Sequence, residues 1–413
     1  MHDVLMDATP RWRAAENSII EIMERYGYRE IRIPVVEKTD LFKRSIGEDT
    51  DIVAKEMYTF TDRGDDSLTL RPEGTAGCVR AVLQHSLLEQ GGVLRLWYHG
   101  PMFRREQPQK GRTRQFHQVG VEAFGAEGPD IDAEIIIISA RIWRELGVPD
   151  LVLQLNTLGT AASRQNYRRV LVDYFTTHLA QLDDDSRNRL QHNPLRILDS
   201  KNPALQDLIE HAPGVEDYLD EESRSHFAGL QTLLREAQVE FVINPRLVRG
   251  LDYYGKTVFE WTTDRLGAQG TICAGGRYDA LVEHFGGKPT PAIGFALGLE
   301  RLVELLEATG QQPVTIPDVY FILAGERAIT AGFKLAEQIR DHLPIHVLLH
   351  CGGGSFKSQF KKADRSGARL ALILGDTEVE RETIAIKTLR KDGLQTEVHW
   401  DSLIPALKQA LSQ

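Results

Sequence analysis

Cysteine is scarce in this chain of 413 residues. Its three cysteines, Cys78, Cys273 and Cys351, are far apart and odd in number, so they predict neither a zinc site nor a disulfide framework. We expect reduced thiols, as in a cytosolic protein. The sequence also lacks an apolar run long enough to cross a membrane. The first residues are acidic and mixed, which does not predict a signal peptide.

Positive charge is not in excess either. Lys and Arg number 49 against 59 Asp and Glu, which gives a net charge of −10 at pH 7. This balance argues against a general DNA coat and leaves room only for local basic patches. Internal repeats and low-complexity tracts are absent as well. Apolar residues make up 42% of the chain, enough for packed cores, and the length suggests two or three domains.

A local basic patch lies between two apolar stretches in residues 94–125. The run from Leu94 to Tyr98 predicts one strand, and the period-2 alternation from Phe116 to Phe124 predicts a second. Gln109-Lys110-Gly111 is a plausible hairpin tip. The connecting segment carries one acid, Glu106, against five cations: Arg104, Arg105, Lys110, Arg112 and Arg114.

Cations beside a sheet suit a polyanion such as a triphosphate or a nucleic acid. The alternative is a solvated, charged hairpin tip. Arg104 directly follows the apolar Met102 and Phe103, and Glu122 stands between Val121 and Ala123 in a strand with few other charges. Charges placed in strands without obvious partners usually hold a ligand.

The string Phe103-Arg-x-Glu, a basic loop, and Arg114-Gln-Phe-x-Gln-x-Gly-x-Glu122 resembles motif 2 of the class II aminoacyl-tRNA synthetases, in the form carried by the histidine–tRNA ligases. Upstream, an amphipathic pattern predicts a helix from Trp12 to Tyr26 that Gly27 closes. A short strand through Ile31, Ile33 and Val35 follows, and Pro34 favours an edge position. Helix and strand together resemble motif 1, which forms the dimer interface in that superfamily and implies a homodimer.

The sequence RPEGTAG, from Arg71 to Gly77, is expected between a strand over Ser67–Leu70 and a helix over Thr75–His85. Glu73 therefore stands at a helix start, where an acid either caps the helix or accepts from an ammonium group. The resemblance favours the second role. Glu73 and Thr75 match residues that bind the α-amino group of the substrate, with Gln118 beside them.

Two later stretches, RGLDYYGKTVFEW at Arg249–Trp261 and AGGRYDALV at Ala274–Val282, resemble signatures specific to the histidine–tRNA ligases. From the residues alone, their tyrosines can equally be core. The sequence GFALGLERLVEL at Gly294–Leu305 resembles motif 3, in which the arginine matching Arg301 stacks on adenine and contacts phosphate. Without the resemblance, Arg301 can be a residue paired with a core acid.

The resemblance covers essentially the whole chain and implies its fold. We expect an α+β catalytic domain with a mainly antiparallel sheet flanked by helices, in two parts at 1–162 and 238–312. A helical insertion at 163–237 separates them, and in the family it leans on the tRNA acceptor arm. Alternating βα elements predict a C-terminal α/β domain at 318–413, the position of the anticodon-binding domain.

Three local expectations complete the secondary structure. Residues 37–56 are polar and predict a loop with a helical turn. Residues 129–146 predict a long helix. On the helix predicted over Phe356–Ser366, Phe356, Phe360 and Ala363 should face inward and the lysines outward. That basic face is either solvated or an RNA patch.

The reaction implied by the resemblance joins histidine to ATP, giving histidyl-adenylate and pyrophosphate, and then transfers histidine to the 3′ end of tRNA(His). Mg²⁺ is expected on the phosphates, with no protein ligand assigned. The implied catalytic residues are Arg104 and Arg249. The implied histidine site is Glu73, Thr75, Gln118, Glu122, Tyr253, Tyr254 and Tyr278. The implied ATP site is Arg104, Arg112, Arg114, Phe116 and Arg301. The implied tRNA contacts are Arg105, Gln107, Gln109, Lys357 and Lys361.

The chain departs from the family pattern in places. It begins later than most members, without their basic N-terminal stretch, which leaves the true start open. Gln107 replaces the usual arginine and Thr113 an aromatic residue, so acceptor-stem recognition is the least supported part of the resemblance.

The alternative function is a non-catalytic, synthetase-like subunit that senses histidine and regulates the phosphoribosyltransferase of histidine biosynthesis. Such paralogues usually lack the anticodon-binding domain and parts of the motifs, whereas this chain keeps Arg104, Arg249 and Arg301. A plain nucleotide-binding protein would leave both tyrosine-rich signatures unexplained. We therefore expect a cytoplasmic ligase that binds histidine, ATP and tRNA, with no membrane or DNA partner.

Overall fold

The structure, a computed structural model, describes residues 1–47, 50, 52–106, 112–249, 251, 253–266, 270–309, 316–390 and 395–412. Contacts divide the chain into two compact units, Met1–Gln312 and Pro313–Gln413. An eight-stranded sheet is the frame of the first unit, and a separate five-stranded sheet is the frame of the second.

The first unit is built on one large sheet and one small sheet. Its strands are β1 (Arg29–Glu30), β2 (Val36–Lys38), β3 (Tyr58–Thr61), β4 (Ser67–Leu70), β5 (Leu94–Phe103), β6 (Gln115–Phe124), β7 (Val152–Thr157), β8 (Val242–Ile243), β9 (Gly255–Thr262), β10 (Thr271–Arg277) and β11 (Ala292–Gly298). The large sheet has the order β1-β5-β6-β11-β10-β9-β7-β8, and β2, β4 and β3 form the small one. β1 is parallel to β5 and β7 to β8, and the other neighbours in the large sheet are antiparallel.

Helices cover both faces of this sheet. They are α1 (Thr9–Arg25), α2 (Thr39–Ile46), α3 (Thr75–Gln84), α4 (Pro129–Leu146), α5 (Ala161–Thr177), α6 (Asp184–His192), α7 (Gln206–Glu210), α8 (Glu221–Glu236), α9 (Leu281–His284) and α10 (Leu299–Ala308). One core joins α1, α4, α8 and α10 to one sheet face, and a second core joins α3 and α5 to the other. The predicted mainly antiparallel sheet flanked by helices is confirmed.

The central hairpin formed by β5 and β6 has the predicted strands. Leu94 lies opposite Phe124 and Phe103 opposite Gln115, so the two strands pair along their whole length. Val119 and Val121 pack into the first core. Since neighbouring residues of a strand point to opposite faces, residues 118, 120 and 122 share the other face. The predicted hairpin tip at 109–111 lies outside the described residues.

The strand predicted through Ile31, Ile33 and Val35 is wrong. The chain has strands only on either side of this stretch, at Arg29–Glu30 and Val36–Lys38. The buried Arg71 guanidinium supplies the reason, because it donates to the carbonyl oxygens of Ile33 at 2.8 Å and Pro34 at 3.4 Å. An arginine side chain thus satisfies carbonyl groups that a neighbouring strand would otherwise pair.

Residues 37–56 contain more helix than expected. Instead of a loop with one turn, Thr39–Ile46 forms helix α2. Its Phe42 and Ile46, four residues apart on one helical face, are fully buried. Most residues of this short helix are polar, so its amphipathic pattern is weak in the sequence.

The segment between β7 and β8 is helical, as its composition indicates. It contains α5 to α8 with short 3-10 turns between them. Leu171 and Phe175 of α5 pack into the second core, beside the sheet residue Leu96. This core holds the helical segment against the sheet face that carries Glu122.

The second unit is a sheet with parallel and antiparallel strands. Its elements are β12 (Val319–Ala324), α11 (Glu326–His342), β13 (Val347–Leu349), α12 (Phe356–Arg365), β14 (Leu370–Gly375), α13 (Asp376–Glu380), β15 (Thr383–Thr388), β16 (Gln395–His399) and α14 (Leu403–Ser412). The order is β13-β12-β14-β15-β16, with β13, β12 and β14 parallel. The predicted C-terminal α/β architecture is confirmed.

The inward face of α12 differs from the prediction. Phe356 is 42% exposed, whereas Gln359 is 1% exposed. The Gln359 amide accepts from Leu323 N at 2.8 Å and donates to Leu323 O at 2.7 Å, so it joins the helix to β12. Buried Gln359 is costly unless hydrogen-bonded, and these two bonds to the backbone satisfy its amide. Lys357 and Lys361 are exposed, as predicted.

The three cysteines are free thiols in the structure, with Cys78 and Cys273 buried and Cys351 exposed. Among the helices that the structure describes, none is long and apolar enough to cross a membrane. Within the described ranges, no group of three or more His, Cys, Asp or Glu side chains is arranged to hold a metal ion.

Candidate active site

A cavity of about 280 Å³ lies on the sheet face that carries Gln118 and Glu122. Its floor consists largely of small residues on adjacent strands. Gly294 pairs with Glu122, Ala296 pairs with Ala274, and these three small residues line the cavity. Directly paired residues share a sheet face, so these positions leave room for a flat ligand close to the backbone.

One end of the cavity is a buried carboxylate surrounded by hydroxyl groups, here called the carboxylate cage: Glu122 with Thr75, Tyr98 and Tyr278. The Thr75 hydroxyl donates to Glu122 Oε1 at 2.8 Å, and the Tyr98 hydroxyl donates to the same oxygen at 3.0 Å. The Tyr278 hydroxyl donates to Oε2. The three donors come from α3, β5 and the residue after β10, so the surrounding fold fixes the position of the carboxyl group.

Opposing effects act on the pKa of Glu122. Burial raises its pKa from the ordinary 4.5 to about 8, while the hydroxyls of Tyr278, Thr75 and Tyr98 oppose this rise and the nearby Glu73 adds to it. Near neutral pH the group can therefore exchange a proton when a ligand arrives, a property typical of functional sites.

Glu73 caps helix α3. Its Oε2 accepts from Thr75 N at 2.6 Å and its Oε1 from Ala76 N at 3.0 Å. The structure thus shows the capping alternative, although Glu73 also lines the cavity. Burial raises the pKa of Glu73, against the two backbone hydrogen bonds and the Arg104 charge.

Gln118, which lines the same cavity as Glu73, offers an acceptor to a ligand. Gln118 lines the cavity, and its buried Oε1 has no hydrogen-bond partner among the described residues. A buried acceptor is costly unless something donates to it. An ammonium group, with three donors and no acceptor, suits a position between Gln118 and Glu73.

Tyrosines form the wall next to the cage. The ring centroids of Tyr253 and Tyr254 are 4.6 Å apart, and those of Tyr253 and Tyr278 are 5.7 Å apart. Burial raises the pKa of all three phenols. They therefore remain uncharged and can donate a hydrogen bond while their rings enclose an apolar or aromatic group.

The other end of the cavity is the arginine cluster: Arg104, Arg112, Arg249 and Arg301. Glu106 lies 2.8 Å from Arg112 Nη1 and 4.0 Å from Arg104 Nη1, between carboxylate oxygen and guanidinium nitrogen. Glu260 Oε1 lies 3.2 Å from Arg249 Nη1. In the part of the chain that the structure describes, Arg249 Nε is buried without a hydrogen-bond partner.

The arginine cluster places several positive charges close together. Burial, together with the neighbouring Arg112, lowers the pKa of Arg301. Burial disfavours the charge of Arg249, but Glu260 and the adjacent tyrosines more than offset this and raise its pKa. Such a cluster binds phosphate oxygens well, because anions relieve the repulsion between cations.

Two cation–π contacts complete the cavity. The Arg104 guanidinium lies 5.3 Å from the Phe116 ring centroid, and its Nε donates to Pro72 O at 2.8 Å. The Arg249 guanidinium lies 5.9 Å from the Tyr254 ring centroid. Arg249 therefore touches the tyrosine wall as well as Glu260.

The structure does not bring every predicted residue to this cavity. All of the predicted histidine-site residues line it, as do Arg104, Arg112, Phe116, Arg249 and Arg301. Arg114 is exposed and does not line it, and Arg105 is exposed on the hairpin. Lys357 and Lys361 belong to the second unit. Gln107 and Gln109 lie outside the described residues.

Sequence reasoning missed Tyr98, Gly294, Glu106 and Glu260 as cavity residues. For Tyr98 a signal existed, since it lies directly opposite Gly120 in the hairpin. An aromatic ring often covers a glycine on the paired strand. In the sequence, Glu106 stood out only as the single acid among five cations and Glu260 was not singled out, whereas in the structure each pairs with an arginine of the cluster.

The cavity joins two kinds of chemistry. The cage and the tyrosine wall fit a small group with hydrogen-bonding nitrogens, and Glu73 and Gln118 fit an ammonium group. The arginine cluster fits phosphates. An amino acid and a nucleotide can thus lie side by side on the small-residue floor.

Comparison with known proteins agrees with this geometry. A model of the histidyl-tRNA synthetase family matches residues 1–302, and a model of the anticodon binding domain matches residues 318–410. The apo structure of Staphylococcus aureus histidyl-tRNA synthetase is 36% identical, with a TM-score of 0.83 over 99% of this chain and 98% of that one.

Two more distant structures share the fold. Histidyl-tRNA synthetase from Nostoc is 22% identical, with a TM-score of 0.71 over 100% of this chain and 98% of that one. An ATP phosphoribosyltransferase regulatory subunit/histidyl-tRNA synthetase from Bacillus halodurans is 23% identical, with a TM-score of 0.66 over 91% of this chain and 97% of that one. At these identities the likeness shows the fold alone.

The catalytic-domain match covers most of the chain, and the 36% identity to the staphylococcal protein extends over nearly all of it. The sequence motifs resemble the same family, and the fold is that of a class II synthetase with a C-terminal α/β anticodon domain. The chain belongs to the histidyl-tRNA synthetase family.

Proposed function

We propose that this chain is a histidine–tRNA ligase, which activates histidine with ATP and transfers it to the 3′ end of tRNA(His). The supporting observation is one cavity in which a buried carboxylate cage adjoins an arginine cluster. Family membership supports the same reaction class. A site for histidine alone would not need four arginines.

Histidine binds at the cage end. The imidazole donates an N–H to Glu122, and its second nitrogen meets the Tyr254 hydroxyl, with Tyr253 and Tyr278 around the ring. The α-ammonium group lies near Glu73, Thr75 and Gln118. Analogues without ring nitrogens are rejected, because they would leave buried polar groups unpaired.

ATP binds at the arginine end. Phe116 and Arg301 hold the adenine, and Arg112 contacts the β- and γ-phosphates. Arg114, which the resemblance places in the ATP site, is exposed and does not line the cavity, so its contact with ATP requires that it move towards the cavity. Glu106 and Glu260 hold the arginines until phosphate oxygens replace them.

The first step forms a bond between the histidine carboxylate and the α-phosphorus, and pyrophosphate leaves. Negative charge grows on the α-phosphate oxygens in the transition state, where Arg104 and Arg249 neutralise it. The attacking carboxylate is already ionised at neutral pH, so this step needs no general base. The terminal adenosine of the tRNA then attacks the adenylate carbonyl carbon, and AMP leaves.

Mg²⁺ is expected to bind together with the phosphates of ATP. Mg²⁺ commonly binds through phosphate oxygens and one or two carboxylates. Glu106 and Glu260 line the cavity, and the described ranges contain no larger acidic group. The residues therefore fit an ion that ATP brings, which would neutralise part of the phosphate charge.

The remaining assignments extend this proposal. Residues 1–162 and 238–312 form the catalytic domain, 163–237 the insertion that meets the acceptor arm, and 318–413 the anticodon-binding domain. Arg105, Gln107 and Gln109 contact the acceptor end, and Lys357 and Lys361 contact the anticodon side. The protein acts in the cytoplasm as a homodimer through motif 1, which light scattering of the purified protein would test.

The alternative function is a histidine-sensing regulatory subunit, favoured by the fold shared with the Bacillus halodurans protein. Such a subunit needs the cage but not the arginines. The retained arginine cluster and the anticodon-domain match to residues 318–410 support the ligase instead.

The test is histidine-dependent exchange of pyrophosphate into ATP, measured for wild type, Arg249→Ala and Glu122→Ala. We expect exchange with histidine alone among the amino acids, lost in both variants. The control is Arg235→Ala, which removes an exposed arginine on α8 and should leave exchange unchanged. Histidine binding without exchange in the wild type would refute the ligase and support the regulatory subunit.

A further inference from the structure

Glu122 has little acceptor capacity left for a ligand. An ionised carboxyl group has about four acceptor positions, two on each oxygen. Oε1 accepts from Thr75 at 2.8 Å and from Tyr98 at 3.0 Å, and Oε2 accepts from Tyr278. Among the described residues, the second position of Oε2 is the one that no hydrogen bond occupies.

We propose that Tyr98 is a positioning residue that, together with Thr75, saturates Oε1 of Glu122, so that the ligand ring is read by a single N–H at Oε2. This inference rests on the proposed function, in which Glu122 receives the imidazole of histidine. Tyr98 acts through Glu122 and is not itself a group that contacts the reacting atoms.

Steric constraints hold the Tyr98 ring in one place. Its ring lies between Gly74 and Gly120, and a Cβ atom added at either glycine would come within 2.1 Å of a ring carbon. Tyr98 is 2% exposed. Because the ring cannot swing away without disturbing α3 or β6, its hydroxyl stays directed at Oε1.

The position of Oε2 is equally constrained. A Cβ atom on Gly294 would lie 1.9 Å from Glu122 Oε2, so any side chain at this position would displace the carboxyl group. Gly294 pairs directly with Glu122 across β11 and β6 and lines the cavity. Because Gly294 has no side chain, Oε2 of Glu122 can lie close to the backbone of the cavity floor, where a flat ring can reach it.

The groups facing Glu122 make the hydroxyl donors important for its charge. The titratable groups around it are Glu73, Cys78 of α3, Tyr98 of β5, Tyr278 after β10, and Tyr253 and Tyr254 before β9. Each of them is neutral when protonated and negative when ionised, so none offers a countercharge to the carboxylate. The hydroxyls of Tyr278, Thr75 and Tyr98 supply the favourable contacts.

Tyr98→Phe tests the inference, because it keeps the ring between Gly74 and Gly120 and removes only the hydroxyl. Without one donor, the carboxylate form of Glu122 is less favoured and Oε1 competes for the ligand N–H. We expect histidine to bind about 10-fold more weakly or worse, as for loss of a hydrogen bond to a charged group. The KM for ATP should not change, and the acid limb of histidine binding should move to higher pH.

The matched control is Tyr167→Phe. Tyr167 is also 2% exposed, but its hydroxyl donates to Pro213 O at 2.8 Å in the helical segment and does not line the cavity. Calorimetry gives the Kd for histidine of all three proteins across pH, and pyrophosphate exchange gives KM and kcat. The thermal unfolding midpoint shows whether each variant is folded.

The outcomes separate the inference from the function. Weaker histidine binding with a shifted pH profile in Tyr98→Phe alone supports the positioning role. Unchanged binding in Tyr98→Phe, or an equal loss in Tyr167→Phe, overturns it and leaves the ligase intact. If Tyr98→Phe unfolds, Thr75→Val must give the same pH shift, and an unshifted profile overturns the inference. A wild type that does not bind histidine overturns both proposals.

Discussion

The two ends of the cavity hold their charged groups in opposite ways. In the carboxylate cage, neutral hydroxyls surround one buried acid, and its pKa is raised to about 8. In the arginine cluster, Glu106 and Glu260 hold cations through ion pairs of 2.8 and 3.2 Å. The cage is almost fully buried, whereas the side chains of Arg112 and Arg249 are 37% and 20% exposed.

This difference indicates how each end contributes. A buried acid held by fixed neutral donors is pre-organised, so it discriminates between ligands by leaving mismatched groups unpaired. Cations paired with acids can exchange those acids for phosphate oxygens. They can then stabilise the negative charge that develops on the phosphate in the transition state. We therefore propose that specificity resides mainly in the cage and rate acceleration in the arginine cluster. Substitutions at the two ends should have separable effects.

The largest expected effect is that of Arg249→Ala. Loss of a cation aimed at developing charge typically lowers kcat by about 10²–10³. We expect a loss of this size in pyrophosphate exchange, with histidine Kd changed much less. The matched control is Arg246→Ala, which removes a nearby arginine whose Nη2 donates to Glu210 O at 3.0 Å and which does not line the cavity. Loss of histidine binding without loss of kcat would contradict the assignment of rate to this end.

Glu122→Gln should have the next largest effect. The amide keeps the size of the carboxyl group and the acceptor for Thr75 and Tyr98, but it presents an NH₂ group towards the ligand N–H. We expect histidine to bind about 100-fold more weakly, as when one partner of a buried charged hydrogen bond is removed. Equilibrium binding of histidine and of ATP checks this. ATP binding reduced to the same extent would remove the distinction between the two ends.

Arg112 and Arg114 allow a finer comparison inside the basic loop. Arg112 lines the cavity and pairs with Glu106, whereas Arg114 is exposed and its Nε lies 3.5 Å from Glu106 O. We expect Arg112→Ala to raise the KM for ATP about 10-fold, since it removes one charged contact to phosphate. Arg114→Ala should change that KM by about two-fold or less, the size expected for an exposed charge. Equal effects would show that Arg114 moves into the site with ATP.

The alternation in β6 and the motif around it were sufficient to predict the hairpin and to name residues that meet in one cavity. Period-2 patterns specify which residues share a face, and motif spacing specifies which strands carry them. The sequence could not specify Tyr98, because its role depends on cross-strand register and on the space above Gly74 and Gly120. Contacts between residues distant in the chain leave little local pattern.

Two of the wrong predictions have the same cause. The stretch Ile31–Val35 has a strand pattern, yet the side chain of Arg71, far along the chain, takes its carbonyl groups. Phe356 has a core pattern, yet Gln359 is the buried residue because it meets the backbone of Leu323. In each case a polar side chain forms hydrogen bonds with a backbone segment that is distant in the sequence. Hydrophobic periodicity does not reveal such a contact.

A further expected effect is on stability, and its sign follows from Glu122. Its pKa is about 8 in the folded chain against about 4.5 ordinarily, so between these values the folded state holds one more proton than the unfolded state. The unfolding free energy of the wild type therefore falls as pH rises through this window, by up to about 1.4 kcal/mol per unit of pKa difference. The amide introduced by Glu122→Gln does not titrate, so this variant should gain stability relative to wild type from acid to mildly alkaline pH.

The thermal unfolding midpoints of both proteins, measured without histidine from about pH 5 to about pH 9, check this sign. We expect the difference between variant and wild type to grow to a few degrees and then to level off above the folded-state pKa. Glu73→Gln is the comparison, because burial raises the pKa of Glu73 as well but its carboxyl group also caps α3 through two backbone hydrogen bonds. Its midpoint should therefore start below that of Glu122→Gln, since the cap is weakened, and should change with pH in the same direction. A difference for Glu122→Gln that stays constant with pH would show that hydroxyl donors alone keep the caged carboxylate ionised. The cage would then resemble the arginine cluster in holding a permanent charge.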